Sequence, residues 1–260
     1  MNLNLADKVY IVTGGASGIG EAICRLIAAE SGIVVIADRN SEKAKALAND
    51  LHKQHYQALA MQIELTDEDG CKQIIEEIVL KYNRIDGLIN NAGTNDGVSL
   101  ENGSVVAFNR SLQINLVHCY TMAHHALPFL KKSKGSIVNI GSKISFTGQG
   151  GSSGYAAGKG GINALTREWS VELLPYGIRV NAVIPAEVNT PQYASWIQTQ
   201  PNPEEKLKHI TSHIPLEKRF TTPEEIANMV AFLLSDVSSH TTGQIIFVDG
   251  GYTHLDRMLT

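Results

Sequence analysis

Tyr155 and Lys159 stand four residues apart in a stretch with helical periodicity, so both side chains project from one helix face. A phenol is a poor base near neutral pH, and a cation held close to it favours the phenolate. Such a pair could take the proton from an alcohol while a hydride leaves the same carbon. The pair alone does not define a site; its register with the rest of the chain does. Near the N-terminus, Thr13-Gly-Gly-Ala-Ser-Gly-Ile-Gly20 follows a short β-branched run and precedes an amphipathic stretch. Gly14, Gly18 and Gly20, with Ser17 and Ile19 between them, let the backbone turn tightly and approach a pyrophosphate seated at a helix N-terminus. Asp38 lies 18 residues after Gly20. A carboxylate there accepts from ribose hydroxyls and repels a 2′-phosphate, which favours NAD over NADP. Arg39 pulls the other way, because a guanidinium can pair with that phosphate. Ser17 adds no second cation, so NAD is the expected cofactor and NADP the weaker choice.

These residues need a frame, and the chain alternates strand-like and helix-like stretches over nearly its whole length. Apolar runs at 9–12, 33–36, 56–63, 85–89, 136–140, 178–184 and 245–248 read as seven strands. Between them, Ile19, Ile23, Leu26 and Ile27 recur at helical spacing, as do Cys71, Ile74, Ile75 and Ile78. Ser41 is expected to cap the second helix, Thr66 with Asp69 to form a capping box at the third, and Thr222-Pro-Glu-Glu225 to open the last. The alternation predicts an α/β fold: one doubly wound, Rossmann-type domain over residues 1–260, with a parallel sheet of about seven strands and helices on both faces. Ligands of such sheets bind at the carboxyl ends of the strands. Residues 186–222 interrupt the rhythm with four prolines and weak apolar stripes, and read as a partly helical substrate lid.

Composition narrows the function. The 260 residues carry 22 Lys and Arg against 26 Asp and Glu, a formal net charge of −4, so no basic field attracts nucleic acid. No apolar run reaches the 18 or so residues that span a bilayer, so no membrane partner is expected. Cys24, Cys71 and Cys119 have neither disulfide nor zinc spacing, and His209 with His213 lack the adjacent glutamate of a zinc helix. No metal site and a reducing, cytoplasmic address are the expectations.

The spacing Thr-Gly-x-x-x-Gly-x-Gly at 13–20, Asn90-Asn-Ala-Gly93 after the fourth strand, and Tyr155-Ala-Ala-Gly-Lys159 together resemble the short-chain dehydrogenase/reductase family over about residues 5–255. The resemblance implies a catalytic tetrad of Asn115, Ser142, Tyr155 and Lys159. Ser142 would hold the substrate oxygen for Tyr155, and Asn115 would link Lys159 through a water to a proton path. It also implies that the cofactor touches Glu64 and Leu65 at the adenine, Asn91, Ala92 and Gly93, Tyr155 and Lys159 at the ribose, and Pro185, Val188 and Thr190 near the nicotinamide. Glu64 stands where the family more often has aspartate. A homotetramer built on the helices around 112–130 and 153–174 is a further implication.

Where the family usually has Pro-Gly after the sixth strand, this chain has Pro185-Ala-Glu187. A carboxylate there suits a substrate rich in hydroxyls, because an ionised acceptor makes the stronger hydrogen bonds. Asn95 and Gln149 add polar groups near the same mouth, and Trp196 in the lid could stack on a sugar face or anchor the lid. With Thr166-Arg-Glu-Trp169 and the tail from Asp249 to Arg257, these segments resemble the bacterial L-fucose dehydrogenase-like sugar dehydrogenases. That resemblance implies oxidation of an aldose, such as L-fucose, at its anomeric carbon to a lactone. A carbonyl reductase of acyl thioesters or steroids is the alternative enzyme, and a non-catalytic dinucleotide-binding scaffold the alternative class.

Overall fold

Val9–Thr13 (β1) buries every residue, and its side chains alternate between two separate cores. Tyr10 and Val12 face one layer of helices while Val9 and Ile11 face the other. A strand buried on both sides in this way belongs to the middle of a parallel sheet. The computed structural model describes residues 2–255, so Asp256 and Arg257 of the tail lie outside the described residues.

Seven parallel strands form one sheet: β1, then Ile33–Asp38 (β2), Ala58–Gln62 (β3), Gly87–Asn90 (β4), Ser136–Ile140 (β5), Arg179–Pro185 (β6) and Ile245–Val248 (β7). Their order is β3-β2-β1-β4-β5-β6-β7. The order reverses between β1 and β4, and that switch point opens a crevice at the carboxyl ends of the strands.

Gly18–Ala29 (α1), Ser41–Lys53 (α2) and Pro223–Leu234 (α9) cover one face. Ile23 and Ile27, Leu47 and Leu51, and Val230 and Leu234 meet Tyr10, Val34 and Ile36 there. Glu68–Tyr82 (α3), His118–Ser133 (α5) and Ser153–Glu172 (α6) cover the other. Ile75, Ile78, Met122, Leu130, Ile162 and Trp169 meet Ile11 and Val35 there. Val105–Leu112 (α4) runs into α5 through a π-helical segment, Gln113–Val117.

The excursion after β6 holds Pro191–Gln198 (α7) and Pro203–Ser212 (α8), each opened by a proline at its first position. Its two ends are tied together. Thr221 N–H donates to the Glu187 carbonyl at 3.0 Å, and Asn189 N–H to the Thr221 carbonyl at 3.2 Å. The excursion therefore leaves and rejoins the body at one point.

Local details differ from the sequence expectations in two caps. Asp67, not Thr66, caps α3, accepting from Gly70 N–H at 3.2 Å. Asn40, not Ser41, caps α2, accepting from Lys43 N–H at 2.9 Å. In each case the capping residue is the last one outside the helix, whose short side chain reaches three residues on. The Thr222–Glu225 capping box forms as expected. Strand β4 begins later than the apolar run because the Asp86 carboxylate itself accepts from Val9 N–H at 2.8 Å, flanked by Arg84. A side chain there replaces a rung of the ladder.

Candidate active site

The crevice at the switch point is a trough of about 620 Å³, lined from the glycine loop to the start of α7. Its floor at one end is the turn between β1 and α1. Gly14 (φ +62°) and Gly18 (φ +56°) adopt the left-handed conformation that costs other residues energy. A Cβ on Gly20 would fall 2.1 Å from the Gly14 carbonyl oxygen, so the loop closes on itself only without that atom. Gly20 acts by this close packing and does not itself line the trough. The cradle left above the loop, facing the N-terminus of α1, fits the pyrophosphate of a dinucleotide.

Thr13 stitches this loop to the turn after β4. Its hydroxyl accepts from Asn91 N–H at 3.0 Å and Ala92 N–H at 3.2 Å, and donates to the Ile89 carbonyl. The Asn91 side chain returns the tie, donating to the carbonyls of Thr13 at 2.9 Å and Gly14 at 3.1 Å. At the far end of the loop, Asp38 accepts from Ala16 N–H at 3.0 Å and Asn40 N–H at 2.9 Å. Each carboxylate oxygen keeps a further acceptor site for ribose hydroxyls. Arg39 and Lys43 line the wall beside it.

Glu64 and Leu65, just after β3, line the trough. One Glu64 oxygen also accepts from the Thr66 hydroxyl at 3.2 Å.

Tyr155 and Lys159 wall the middle of the trough from α6, with the Lys159 ammonium 5.7 Å from the centre of the Tyr155 ring. A buried relay fixes α6 against the sheet: Asn90 donates to Asn139, Asn139 to Thr166, and Thr166 to the Ile162 carbonyl. Lys159 is buried and donates to the Ile140 carbonyl at 2.8 Å. Asn115 lies in the π-helical segment. Its side-chain carbonyl accepts from Thr94 N–H at 2.8 Å, and its amide donates to the Ser111 carbonyl at 3.0 Å. A Cβ on Gly93 would fall 3.0 Å from that carbonyl oxygen and 3.2 Å from the Lys159 nitrogen, so Asn115 and Lys159 meet across Gly93. Ser142 follows Gly141, a trough residue, and caps the one-turn helix 143–145.

Of the nicotinamide-end residues, Pro185 and Thr190 line the trough. The Val188 side chain is buried in the core, which leaves only its backbone for a ligand. The four residues read as substrate contacts beyond the tetrad do not line the trough itself. Asn95 braces its own loop, donating to Ser152 at 3.0 Å and accepting from Gly97 N–H. Gln149 is exposed within a glycine-rich turn. Trp196 is 40% exposed and meets Tyr193 edge-on, with ring centres 5.2 Å apart. Glu187 is ion-paired with Lys143.

Sequence reasoning missed three residues that the fold brings here. Gln192 of α7 donates to Thr94 at 2.8 Å, crossing from the excursion to the turn after β4; both line the trough. Lys143 was hidden beside Ser142. His118 is buried in the trough wall, and burial, then the Lys159 charge, pushes its pKa down to about 4. Its place three residues after Asn115 is the signal that could have found it. Burial likewise pushes the thiols of Cys71 up to about 11 and Cys119 up to about 12, away from nucleophilic use.

A switch-point trough with a glycine cradle and a Tyr–Lys wall defines a dinucleotide-binding α/β oxidoreductase. The family profile described as enoyl-(acyl carrier protein) reductase matches residues 14–253. The chain is 36% identical over 250 residues to the 3-oxoacyl-(acyl-carrier-protein) reductase FabG of Thermotoga maritima, covering 96% of this chain and 99% of that one. It is 32% identical over 252 residues to the L-fucose dehydrogenase of Bos taurus, covering 96% and 91%. Among solved structures it resembles the Cj0485 dehydrogenase, with a TM-score of 0.94, 46% identity, and coverage of 99% and 98%. The chain therefore belongs to the short-chain dehydrogenase/reductase family, whose members bind a nicotinamide dinucleotide. Among the described residues, no helix is long and apolar enough to cross a membrane and no cluster could hold a metal ion.

Proposed function

We propose that this protein oxidises a hydroxyl of a small polyhydroxylated substrate with NAD, and that the substrate is an aldose such as L-fucose, converted at its anomeric carbon to the lactone. The observation that carries the reading is Tyr155 and Lys159 side by side on one wall of the trough, next to the carboxyl ends of β4 and β5. The bound cofactor supplies the two-electron acceptor. The hydroxyl proton passes to Tyr155, beside which the Lys159 ammonium stands on the same helix. Ser142 orients the substrate oxygen, and Asn115 holds the turn that brackets Lys159. Asp38 selects NAD over NADP. Resemblance to L-fucose dehydrogenases supports the sugar, as does a charged pair where an acyl chain would need apolar walls.

In this reading residues 1–260 form one catalytic domain, residues 186–222 cover the substrate, and Asn95, Gln149, Glu187 and Trp196 approach it when the cover closes. The assembly is a cytoplasmic homotetramer built on α5 and α6, where Tyr120 and Val171 stand exposed, with Leu174 just beyond α6.

The similarity to a 3-oxoacyl reductase at 36% identity favours a second reading, reduction of an acyl thioester. A panel of aldoses, polyols and 3-oxoacyl thioesters, each with NAD(H) and NADP(H) and followed by nicotinamide absorbance, separates the two. Turnover of an aldose with NAD is expected, and Tyr155→Phe should abolish it while leaving NAD affinity within a few-fold. Turnover confined to thioesters would overturn the sugar assignment. Retention of more than about a tenth of the activity in Tyr155→Phe would remove Tyr155 as the base.

A further inference from the structure

Three neighbouring strand ends converge beyond the trough, and each contributes one side chain to a single cluster. Lys143 comes from the turn after β5, Glu187 from the turn after β6, and Tyr252 from the turn after β7. The Lys143 ammonium pairs with one oxygen of Glu187, and the same nitrogen lies 4.0 Å from the centre of the Tyr252 ring. The ring is positioned by Asp249, which accepts from Gly251 N–H at 2.8 Å and Thr253 N–H at 2.9 Å. Each charged side chain is only 12% exposed.

We propose that Lys143 is a specificity-determining residue, and that with Glu187 it forms a donor–acceptor subsite for two adjacent hydroxyls of the substrate ring. This rests on the aldose reading above.

Stability does not account for the cluster. Desolvating two charges costs about as much as their attraction returns, so an apolar pair of the same volume would serve the fold at least as well. Binding does account for it. An ammonium has three hydrogens to donate and a carboxylate two oxygens to accept, and the ion pair uses one of each. Among the described residues, the Lys143 ammonium makes no hydrogen bond besides this one. The Tyr193 hydroxyl, from the lid helix α7, is buried beside Glu187 and adds a third polar group to the cluster. A vicinal diol offers one hydroxyl oxygen to Lys143 and one hydroxyl hydrogen to Glu187. The paired charges cancel, so a neutral sugar is accepted. A substrate carboxylate would face Glu187, and an acyl chain would strand both charges. Tyr252 presents the flat apolar surface on which the C–H face of a pyranose can rest.

The test uses the preferred aldose from the panel, its monodeoxy analogues, and a secondary alcohol with one hydroxyl. Lys143→Met is expected to lower kcat/KM for the aldose at least 20-fold, mainly through KM, and to change the simple alcohol less than threefold. One deoxy analogue should lose no further activity in the variant, because it lacks the hydroxyl that Lys143 reads. Lys143→Arg keeps the charge and the pairing but not the tetrahedral donors, so it should fold even if the methionine variant does not. It is expected to lose at least fivefold on the aldose alone. Equal losses on every substrate, or no loss in either variant, would overturn the role of Lys143 while leaving aldose oxidation standing. A wild type that turns over the simple alcohol but no aldose would remove the parent reading and this subsite with it.

Discussion

The ammonium of Lys159 donates to the carbonyl of Ile140, the last residue of β5, at 2.8 Å. The cation is thereby held from the sheet as well as from its own helix, and two of its hydrogens remain to donate to a ligand. Lys159→Ala is expected to weaken NAD binding at least tenfold and to reduce kcat at least a hundredfold. Titration of NAD by fluorescence and steady-state kinetics measure the two separately. Unchanged cofactor affinity would show that Lys159 serves the chemistry alone.

Asp38 lines the trough at the end of β2, with Arg39 and Lys43 beside it. Asp38→Ala should narrow the preference for NAD over NADP at least tenfold, about 1.4 kcal/mol, by removing repulsion of the 2′-phosphate. The loss also frees Ala16 and Asn40 N–H groups, so some fall in thermal midpoint should accompany it. The ratio of kcat/KM values for the two cofactors is the measurement. A wild type that already prefers NADP would show that the two cations outweigh the carboxylate.

Two glycines give a matched contrast. In Gly20→Ala the new methyl meets the Gly14 carbonyl, and the loop must move; about 1–3 kcal/mol of stability and most of the NAD affinity should go. In Gly148→Ala the methyl meets nothing within 4 Å, and both quantities should stay within error. Urea unfolding with and without NAD reads both. Equal behaviour of the two variants would contradict the close packing of the first turn.

His118 ties stability to acidity. Burial lowers its pKa from an ordinary value near 6.5 to about 4, so the unfolded chain binds the extra proton first as pH falls. Its contribution is complete above about pH 6.5 and is lost progressively towards pH 4. Between pH 7 and pH 5 the loss is on the order of 2 kcal/mol. His118→Gln, which cannot take up that proton, should flatten the dependence of the urea midpoint by about this amount. An unaltered pH slope in the variant would assign acid sensitivity to other groups.

The sheet and the excursion after β6 were legible because periodicity is a local signal. Seven apolar runs became seven strands, and the weakly striped stretch after β6 became two short helices on a closed loop. The glycine loop and the Tyr155–Lys159 pair were legible because spacing along one turn or one helix fixes which side chains meet. The ion pair between Lys143 and Glu187 was not legible. It joins residues 44 apart in sequence whose meeting depends on β5 and β6 being neighbours, and no local pattern encodes that. Cap positions failed by one residue at α2 and α3 because neighbouring polar residues compete for the same donors, and backbone conformation decides among them.

The π-helical segment at 113–117 holds one more residue than an α-helix of the same rise would. Everything after it, from His118 onward, is therefore rotated by about 100° relative to the phase set by α4. A helical wheel drawn at constant pitch from Val105 mislabels every face of α5. The geometry that brings Asn115 to Gly93 is thus separated from a plain, uninterrupted helix by a single codon.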